Sequence, residues 1–273
     1  MGVSIQQLPN STLAKLVAFL LWQWFYFLTY DHSPDKNPEW CSRVLTVVHA
    51  TTAIIAGFTQ CKWRSLTIHH FSRRVLLCQY LLMLWSWGYF AFDLLWCLIY
   101  WTDSTVMLCH HLAALVAIDR YMHKDNTGCT YACSMLILEL TNPLLQTRWF
   151  LKKSGYGRTI AYMAVEVVYL TMFISLRAVL GTYVTCWVIV SDKFDMEAKI
   201  TASVFYIISI LFIYDIVGYV RYKYKKEIEF FYASQFPNDI DGRNVPRPND
   251  VVVPSKLPTD TVETAPSKWR SYF

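Results

Sequence analysis

Charged residues are scarce in this chain. Only 16% of its 273 residues are Asp, Glu, Lys or Arg, while 55% are hydrophobic, whereas soluble domains carry about 25% charged residues. The apolar residues gather in runs of about 20, the length that crosses a bilayer as a helix. This pattern excludes an ordinary soluble domain and predicts a polytopic membrane protein.

Paired-cysteine motifs are also absent. The chain has eight cysteines but no CxxC, and a zinc ribbon or redox motif would need that spacing. Five of the cysteines lie within or at the edges of apolar runs: Cys78, Cys97, Cys109, Cys133 and Cys186. We therefore expect small buried thiols rather than a disulfide framework.

The apolar runs predict an all-α bundle of about seven membrane spans. They lie near residues 12–30, 41–60, 75–101, 105–122, 129–147, 159–190 and 200–220. The sixth run is long enough to tilt or to break near Gly181, so six or eight spans remain alternatives. Pro143 should kink the fifth span, because its ring and missing N–H disturb the preceding turn. The first run follows no basic segment and precedes no small-residue cleavage site, so we expect it to stay as a span.

The basic residues lie in short loops beside these runs. Such a distribution indicates topology signals and not a nucleic-acid surface, despite the net charge of +5. One basic loop contains Arg148, Lys152, Lys153 and Arg158, and another contains Arg221, Lys223, Lys225 and Lys226. Two spans separate these loops, so both can be cytosolic, which predicts a lumenal N-terminus and a cytosolic tail. A third basic loop, with Lys62, Arg64, Arg73 and Arg74, disagrees with this orientation.

Three regions follow from this pattern. Residues 1–39 form an N-terminal segment with the first span, residues 40–225 form the main transmembrane domain, and residues 226–273 form a cytosolic tail. From residue 232 the tail is rich in Pro and Asp and lacks apolar periodicity, which predicts disorder. It has no KDEL-like or CaaX-like ending.

Several ionisable residues lie inside the predicted spans. Such residues are costly in a bilayer and are functional candidates; here they are Asp93, His110, His111, Glu139, Glu166, Arg177 and Asp215. At about 1.5 Å of rise per residue, all except Arg177 lie roughly 7 to 13 Å from one membrane side, as does Asn142. The sequence therefore predicts a polar chamber open toward the cytosol, with Arg177 as a separate anchor or counter-charge.

The adjacent His110 and His111 stand at the entrance of an apolar run. Neighbouring residues on a helix point about 100° apart, so one ring should face the chamber and the other a neighbouring helix. A neutral imidazole is a general base or nucleophile near neutral pH, and Asp93 is placed to orient it. The alternative is a hydrogen-bonded structural pair. No metal site is expected, because neither this doublet nor His69-His70 has the HxxxH spacing.

Four segments together resemble the TLC-domain family. They are GYFAFD (88–93), the histidine doublet, LELTNPLLQTRWF (138–150) and SLRAVLG around Arg177, in this order and spacing. The resemblance covers roughly residues 40–225. It implies a helical bundle whose spans ring a lipid-accessible cavity, most often in the endoplasmic reticulum, with the plasma membrane as an alternative.

The resemblance implies two activities. In ceramide synthases of this family the doublet, here His110 and His111, is implicated in moving an acyl group from acyl-CoA to a sphingoid amine. This chain departs from the ceramide-synthase Lag motif, because it has Glu139-Leu140 and Thr141-Asn142-Pro143 where that motif has His-Asp and a further Asp. It is thus more similar to the TLC domain-containing branch, which is linked to membrane lipid composition and trafficking.

Three functions remain open at this stage. The first is membrane lipid homeostasis, with an acyl lipid bound in the polar chamber. The second is an acyl-CoA-dependent N-acyltransferase, with His110, His111 and Asp93 as catalytic residues, and with Glu139, Asn142, Glu166, Arg177 and Asp215 lining the cavity. The third is a protein-cargo or translocation factor. The expected partners are membrane lipids, acyl-CoA or a sphingoid base, and a second copy of the chain; no cofactor beyond acyl-CoA is expected.

Overall fold

A computed structural model describes residues 11–33, 35–61, 75–100, 104–124, 127–157, 159–192 and 194–225. The predictions about the basic loop at 62–74, the His69-His70 pair and the tail from 226 lie outside these residues.

The described residues are almost all helical, and there is no strand among them. Its helices are α1 (Ser11–His32), α2 (Pro38–Gln60), α3 (Leu77–Tyr100), α4 (Thr105–Met122), α5 (Gly128–Glu139), α6 (Asn142–Leu151), α7 (Ile160–Ile174), α8 (Gly181–Val190) and α9 (Met196–Lys223). Two π-helices continue α6 and α7, at Lys152–Tyr156 and Ser175–Leu180. The all-α prediction is confirmed, and every apolar run of the sequence corresponds to one or more of these helices.

Within the part of the chain that the structure describes, five helical segments are long and apolar enough to cross a membrane. They are Ser11–His32, Pro38–Gln60, Leu77–Tyr100, Ile160–Val190 and Met196–Lys223. Large apolar side chains such as Phe27, Ile55 and Ile99 are 60% or more exposed on these helices, as expected of a surface that faces lipid. The chain is an integral membrane helical bundle, and the predicted total of seven spans also needs α4 and α5–α6 to cross.

The structure confirms an interruption at Pro143 but shows no break at Gly181. The fifth apolar run is divided by a turn at residues 140–141, and α6 begins with Pro143 in its first turn, as the proline predicts. Gly181 has helical backbone angles, and the chain passes into α8 without a break. The irregularity of the sixth run is instead the π-helix Ser175–Leu180.

Small residues let the helices approach closely. A Cβ atom added to Gly88 on α3 would lie 2.7 Å from the carbonyl carbon of Ala18 on α1. A Cβ atom on Gly57 of α2 would lie 2.6 Å from Cβ of Leu136 on α5. Close approach at small residues is how helices gain packing energy in a bilayer, where the hydrophobic effect does not drive their association.

Cys61 and Cys133 form a disulfide, with their Cα atoms 4.9 Å apart. The prediction of small buried thiols was therefore wrong for this pair. It was also wrong for Cys78, Cys109 and Cys186, which are exposed on the outside of the bundle, whereas Cys97 is buried as predicted. The helix α2 runs antiparallel to α5–α6, which brings the end of α2 beside the middle of α5. A separation of 72 residues in the sequence hides this pairing.

The chain divides into two compact units, at Ile210 and Leu211 within α9. The first unit contains α1 to α8 and the start of α9. The second unit contains the end of α9, where the Lys223 ammonium lies 5.9 Å from the ring centre of Tyr219.

Candidate functional site

Asp93 and His111 meet in the interior of the first unit. The antiparallel helices α3 and α4 pack against each other, and Nε2 of His111 lies 3.4 Å from Oδ2 of Asp93. The two residues are only 5% and 8% exposed. A carboxylate at this distance orients an imidazole ring.

The Asp93 carboxylate is held by two hydroxyl groups. Ser42 on α2 donates a hydrogen bond of 3.4 Å to Oδ1. The phenol oxygen of Tyr89 lies 3.2 Å from Oδ2 and 2.9 Å from Oγ1 of Thr46. These contacts tie α2 to α3 and fix the carboxylate that faces His111.

His49 is a buried histidine that the sequence analysis missed. It is fully buried, and its ring stacks on Tyr89 with centroids 4.0 Å apart and an angle of 8° between the planes. Neither ring nitrogen has a hydrogen-bond partner, and Nδ1 lies 3.8 Å from Oε2 of Glu139. The only signal in the sequence is a single histidine inside the apolar run 41–60, and such a residue is usually structural.

Glu139 and Asn142 adjoin this histidine. The Asn142 amide donates a 2.6 Å hydrogen bond to Oε2 of Glu139, and Glu139 is 4% exposed. The turn at residues 140–141 places these two side chains together across the break between α5 and α6.

These side chains form a continuous group, which we name the polar cluster. It contains Ser42, Thr46, His49, Tyr89, Asp93, His111, Glu139 and Asn142. The start of α2, the end of α3, the start of α4 and the end of α6 lie on the same side of the bundle. Measured along each helix from that side, the members of the polar cluster are roughly 6 to 18 Å deep. The structure thus brings together Asp93, His111, Glu139 and Asn142 from the residues predicted by sequence.

The two histidines of the doublet point in different directions, as their adjacent positions predict. His111 faces Asp93, whereas the His110 ring packs edge-on against Phe90 and Phe205, with centroids 6.1 and 5.9 Å away. Within the residues that the structure describes, His111 is the member of the doublet that joins the polar cluster.

Glu166 belongs to a different pair. Its Oε1 lies 3.4 Å from Nη1 of Arg148 and accepts a 3.3 Å hydrogen bond from Tyr162. Arg148 was predicted to lie in a basic loop, and that prediction was wrong, because the residue is inside α6 and only 4% exposed. The buried acid Glu166 explains why a guanidinium is tolerated there.

Arg177 is a buried anchor outside the polar cluster. On the π-helix after α7, it donates a 2.9 Å hydrogen bond to the Leu138 carbonyl and a 3.3 Å bond to Ser209 on α9. Its guanidinium carbon lies 5.4 Å from the ring centre of Phe173. Arg177 thus connects its own π-helix to α5 and α9. Its contact on α5 is with Leu138, the residue before Glu139.

Asp215 lies on the part of α9 that belongs to the second unit, and it is 7% exposed. Its predicted place beside the other acids stays a prediction.

Cys97 supplies a further chemical group beside the cluster. One turn after Asp93 on α3, its sulfur lies close to the Asp93 carboxylate and to His111, so that one ligand atom of each residue lies within 4.8 Å of the others. In the sequence alone, Cys97 is recognisable only as a small residue of an apolar run.

An apolar groove lies between α1, α2 and α3, with a volume of about 590 Å³. It is lined by side chains such as Val17, Leu21, Ala56 and Trp85. Trp85 is two turns of α3, roughly 12 Å, before Asp93. The groove is therefore nearer the disulfide end of the helices than the polar cluster is.

Comparisons with known proteins agree with this architecture. The TLC domain family model matches residues 39–231. A curated relative, TLC domain-containing protein 4-B of Danio rerio, is 28% identical in an alignment of 149 residues that covers 46% of this chain and 48% of the relative. The match thus spans about half the length of that relative, and no solved structure matches. Since the family model covers well over half of the residues, the chain belongs to the TLC domain family.

Proposed function

We propose that this membrane protein binds an acyl lipid, with the polar part of the lipid at the polar cluster and its chain between the helices, and that it acts in membrane lipid homeostasis. The observation that carries the proposal is the burial of the polar cluster, in which imidazole nitrogens lack a protein partner. Both nitrogens of His49 and Nδ1 of His111 are in this state.

The energetics favour a ligand at these atoms. A buried polar group without a hydrogen bond costs about 1 to 3 kcal/mol, and native structures keep few of them. Donors and acceptors from a lipid carbonyl, amide or hydroxyl group would satisfy the imidazole nitrogens. The exposed apolar faces of the surrounding helices place such lipids next to the cluster.

The disulfide helps to assign the side of the membrane toward which the polar cluster lies. Disulfides persist in oxidising compartments such as the lumen of the endoplasmic reticulum, which favours a lumenal position for Cys61 and Cys133. Ser42 is roughly 28 Å from Cys61 along α2, so the polar cluster would lie toward the cytosolic half. This orientation agrees with the one predicted from the two basic loops, and it suits the endoplasmic reticulum.

Acyl transfer is a second candidate, favoured by the contact between His111 and Asp93. With Nε2 of His111 facing the carboxylate, Nδ1 is available as a general base. The amine nitrogen of a sphingoid base would attack the thioester carbonyl of acyl-CoA, and His111 would accept the amine proton. The C–S bond would then break, and the proton would pass to the leaving thiolate.

The test is mass spectrometry of lipids retained by the purified full chain. We expect a defined acyl lipid in the wild type, a loss in His111→Gln, and retention in the control His123→Gln, whose histidine is exposed. A lipid profile that matches the bulk membrane in all three proteins would contradict lipid binding.

Incubation of the same samples with acyl-CoA and a sphingoid base tests the second candidate. A new amide that His111→Gln does not form would establish acyl transfer. Retained lipid without any product would limit the protein to lipid binding. Stoichiometric co-purified protein in place of lipid would favour a cargo role.

A further inference from the structure

Asp93 and Cys97 lie one turn apart on the same face of α3, and His111 faces them from α4. Their ligand atoms are within 4.8 Å of one another, and all three residues are at most 8% exposed. We infer that Asp93, Cys97 and His111 bind a zinc ion. The inference goes beyond lipid binding and does not depend on it.

The spacing suits a tetrahedral ion. Zinc bonds to imidazole nitrogen and carboxylate oxygen are about 2.0 to 2.2 Å long, so two such ligand atoms lie about 3.4 Å apart at tetrahedral angles. The separation between His111 Nε2 and Asp93 Oδ2 is 3.4 Å. A zinc–sulfur bond is about 2.3 Å long, so the sulfur of a tetrahedral site lies about 3.6 Å from the other ligand atoms. The Cys97 sulfur is within 4.8 Å of them, so it needs to move by no more than about 1 Å to reach that distance.

Charge balance also favours zinc. A thiolate and a carboxylate cancel the two positive charges of the ion, and the imidazole ligand is neutral. The site would thus be neutral overall, whereas a buried unpaired charge is costly in the apolar interior of a bundle. A thiolate ligand selects zinc over magnesium or calcium, which prefer oxygen atoms.

The neighbouring hydroxyl groups would act as an outer shell. Ser42 and Tyr89 already contact the Asp93 carboxylate, and such contacts orient the ligands of a metal and raise its affinity. Three protein ligands leave the fourth coordination position for water or for a lipid carbonyl. Catalytic zinc sites have this arrangement, whereas structural zinc sites have four protein ligands.

Metal analysis of the full chain, purified without a chelator and without a polyhistidine tag, tests the inference. We expect about one zinc per chain and a decrease of at least about tenfold in Asp93→Asn, Cys97→Ser and His111→Gln. The matched controls Cys109→Ser and His123→Gln change exposed residues of the same types, and they should keep the wild-type zinc content.

Cobalt substitution separates loss of a ligand from loss of the fold. Wild-type protein should show the near-ultraviolet absorption of a cobalt–thiolate bond. Cys97→Ser should lose it while eluting as the wild type does in size-exclusion chromatography. Zinc below about one-tenth per chain after zinc addition and washing, or equal zinc in all the variants, would overturn the inference. Loss of zinc from a variant that keeps its lipid would leave the proposed function standing.

Discussion

Oδ2 of Asp93 lies 3.4 Å from Nε2 of His111, inside a bundle whose outer faces are apolar. The contact joins α3 to α4, and Ser42 and Tyr89 extend it to α2. His49 and Glu139 extend the same group to α5. The histidine doublet thus contributes one ring to a buried polar cluster and one ring to aromatic packing.

Removing the disulfide should destabilise the fold. The bond closes a chain segment of 72 residues, and constraining a segment of this length stabilises a protein by about 2 to 4 kcal/mol. We therefore expect Cys61→Ser/Cys133→Ser to lower the thermal midpoint in detergent. Maleimide labelling of the denatured wild type should reveal two additional thiols after reduction. Labelling of all eight cysteines without reductant would contradict the bond.

His49→Phe should separate stability from ligand binding. Phenylalanine keeps the stack on Tyr89 and removes two nitrogens that lack partners, each costing about 1 to 3 kcal/mol when unsatisfied. The thermal midpoint without lipid should be unchanged or higher, while lipid retention should fall. A large loss of stability together with normal lipid retention would show that His49 is only structural.

The ion pair of Asp195 with Lys124 should make the free energy of unfolding depend on pH in the acidic range. Its hydrogen bond from Lys124 holds the pKa of this carboxyl below its usual value. In the unfolded chain the pKa of this carboxyl is near 3.9. The stabilisation that the ionised carboxyl contributes is therefore complete above about pH 3.9, and it is lost as the pH falls through the lower pKa of the folded state. Because both side chains are partly exposed, the effect should be small.

Asp195→Asn should remove this acid-dependent step in thermal unfolding. Asp35→Asn, at an exposed position, is the matched control and should keep the step. An unchanged pH profile in Asp195→Asn would show that its pairing with Lys124 does not affect stability.

Gly88→Ala should separate α1 from α3. The new methyl group would meet the backbone of Ala18 at 2.7 Å, and overpacking of this kind costs about 1 to 3 kcal/mol. Gly181→Ala is the matched control, because its nearest contact is an ordinary 3.5 Å. The two thermal midpoints should differ clearly, and equal midpoints would contradict the close packing of α1 on α3.

The helices were predictable because membrane spans are long apolar runs. Pro143 likewise identified the break between α5 and α6, since its constraint on the helix is local. The group formed by Asp93, His111, Glu139 and Asn142 followed from their similar distances to the helix ends.

The disulfide, the other members of the site and the buried ion pair depend on which helices are neighbours. A single sequence does not show which helices pack together. Cys61 and Cys133 are far apart in the chain, His49 is a single histidine in an apolar run, and Cys97 resembles any small core residue. Arg148 looked like a loop residue because its buried partner, Glu166, lies on another helix.

The most direct test of lipid binding is photocrosslinking with a lipid that carries a diazirine on its acyl chain, followed by peptide mapping. We predict labelled peptides from α3, α4 and α5 around the polar cluster, with labelling reduced in His49→Phe and displaced by the unmodified lipid. Labelling confined to the groove between α1, α2 and α3, or spread evenly over the exposed apolar faces, would contradict the account.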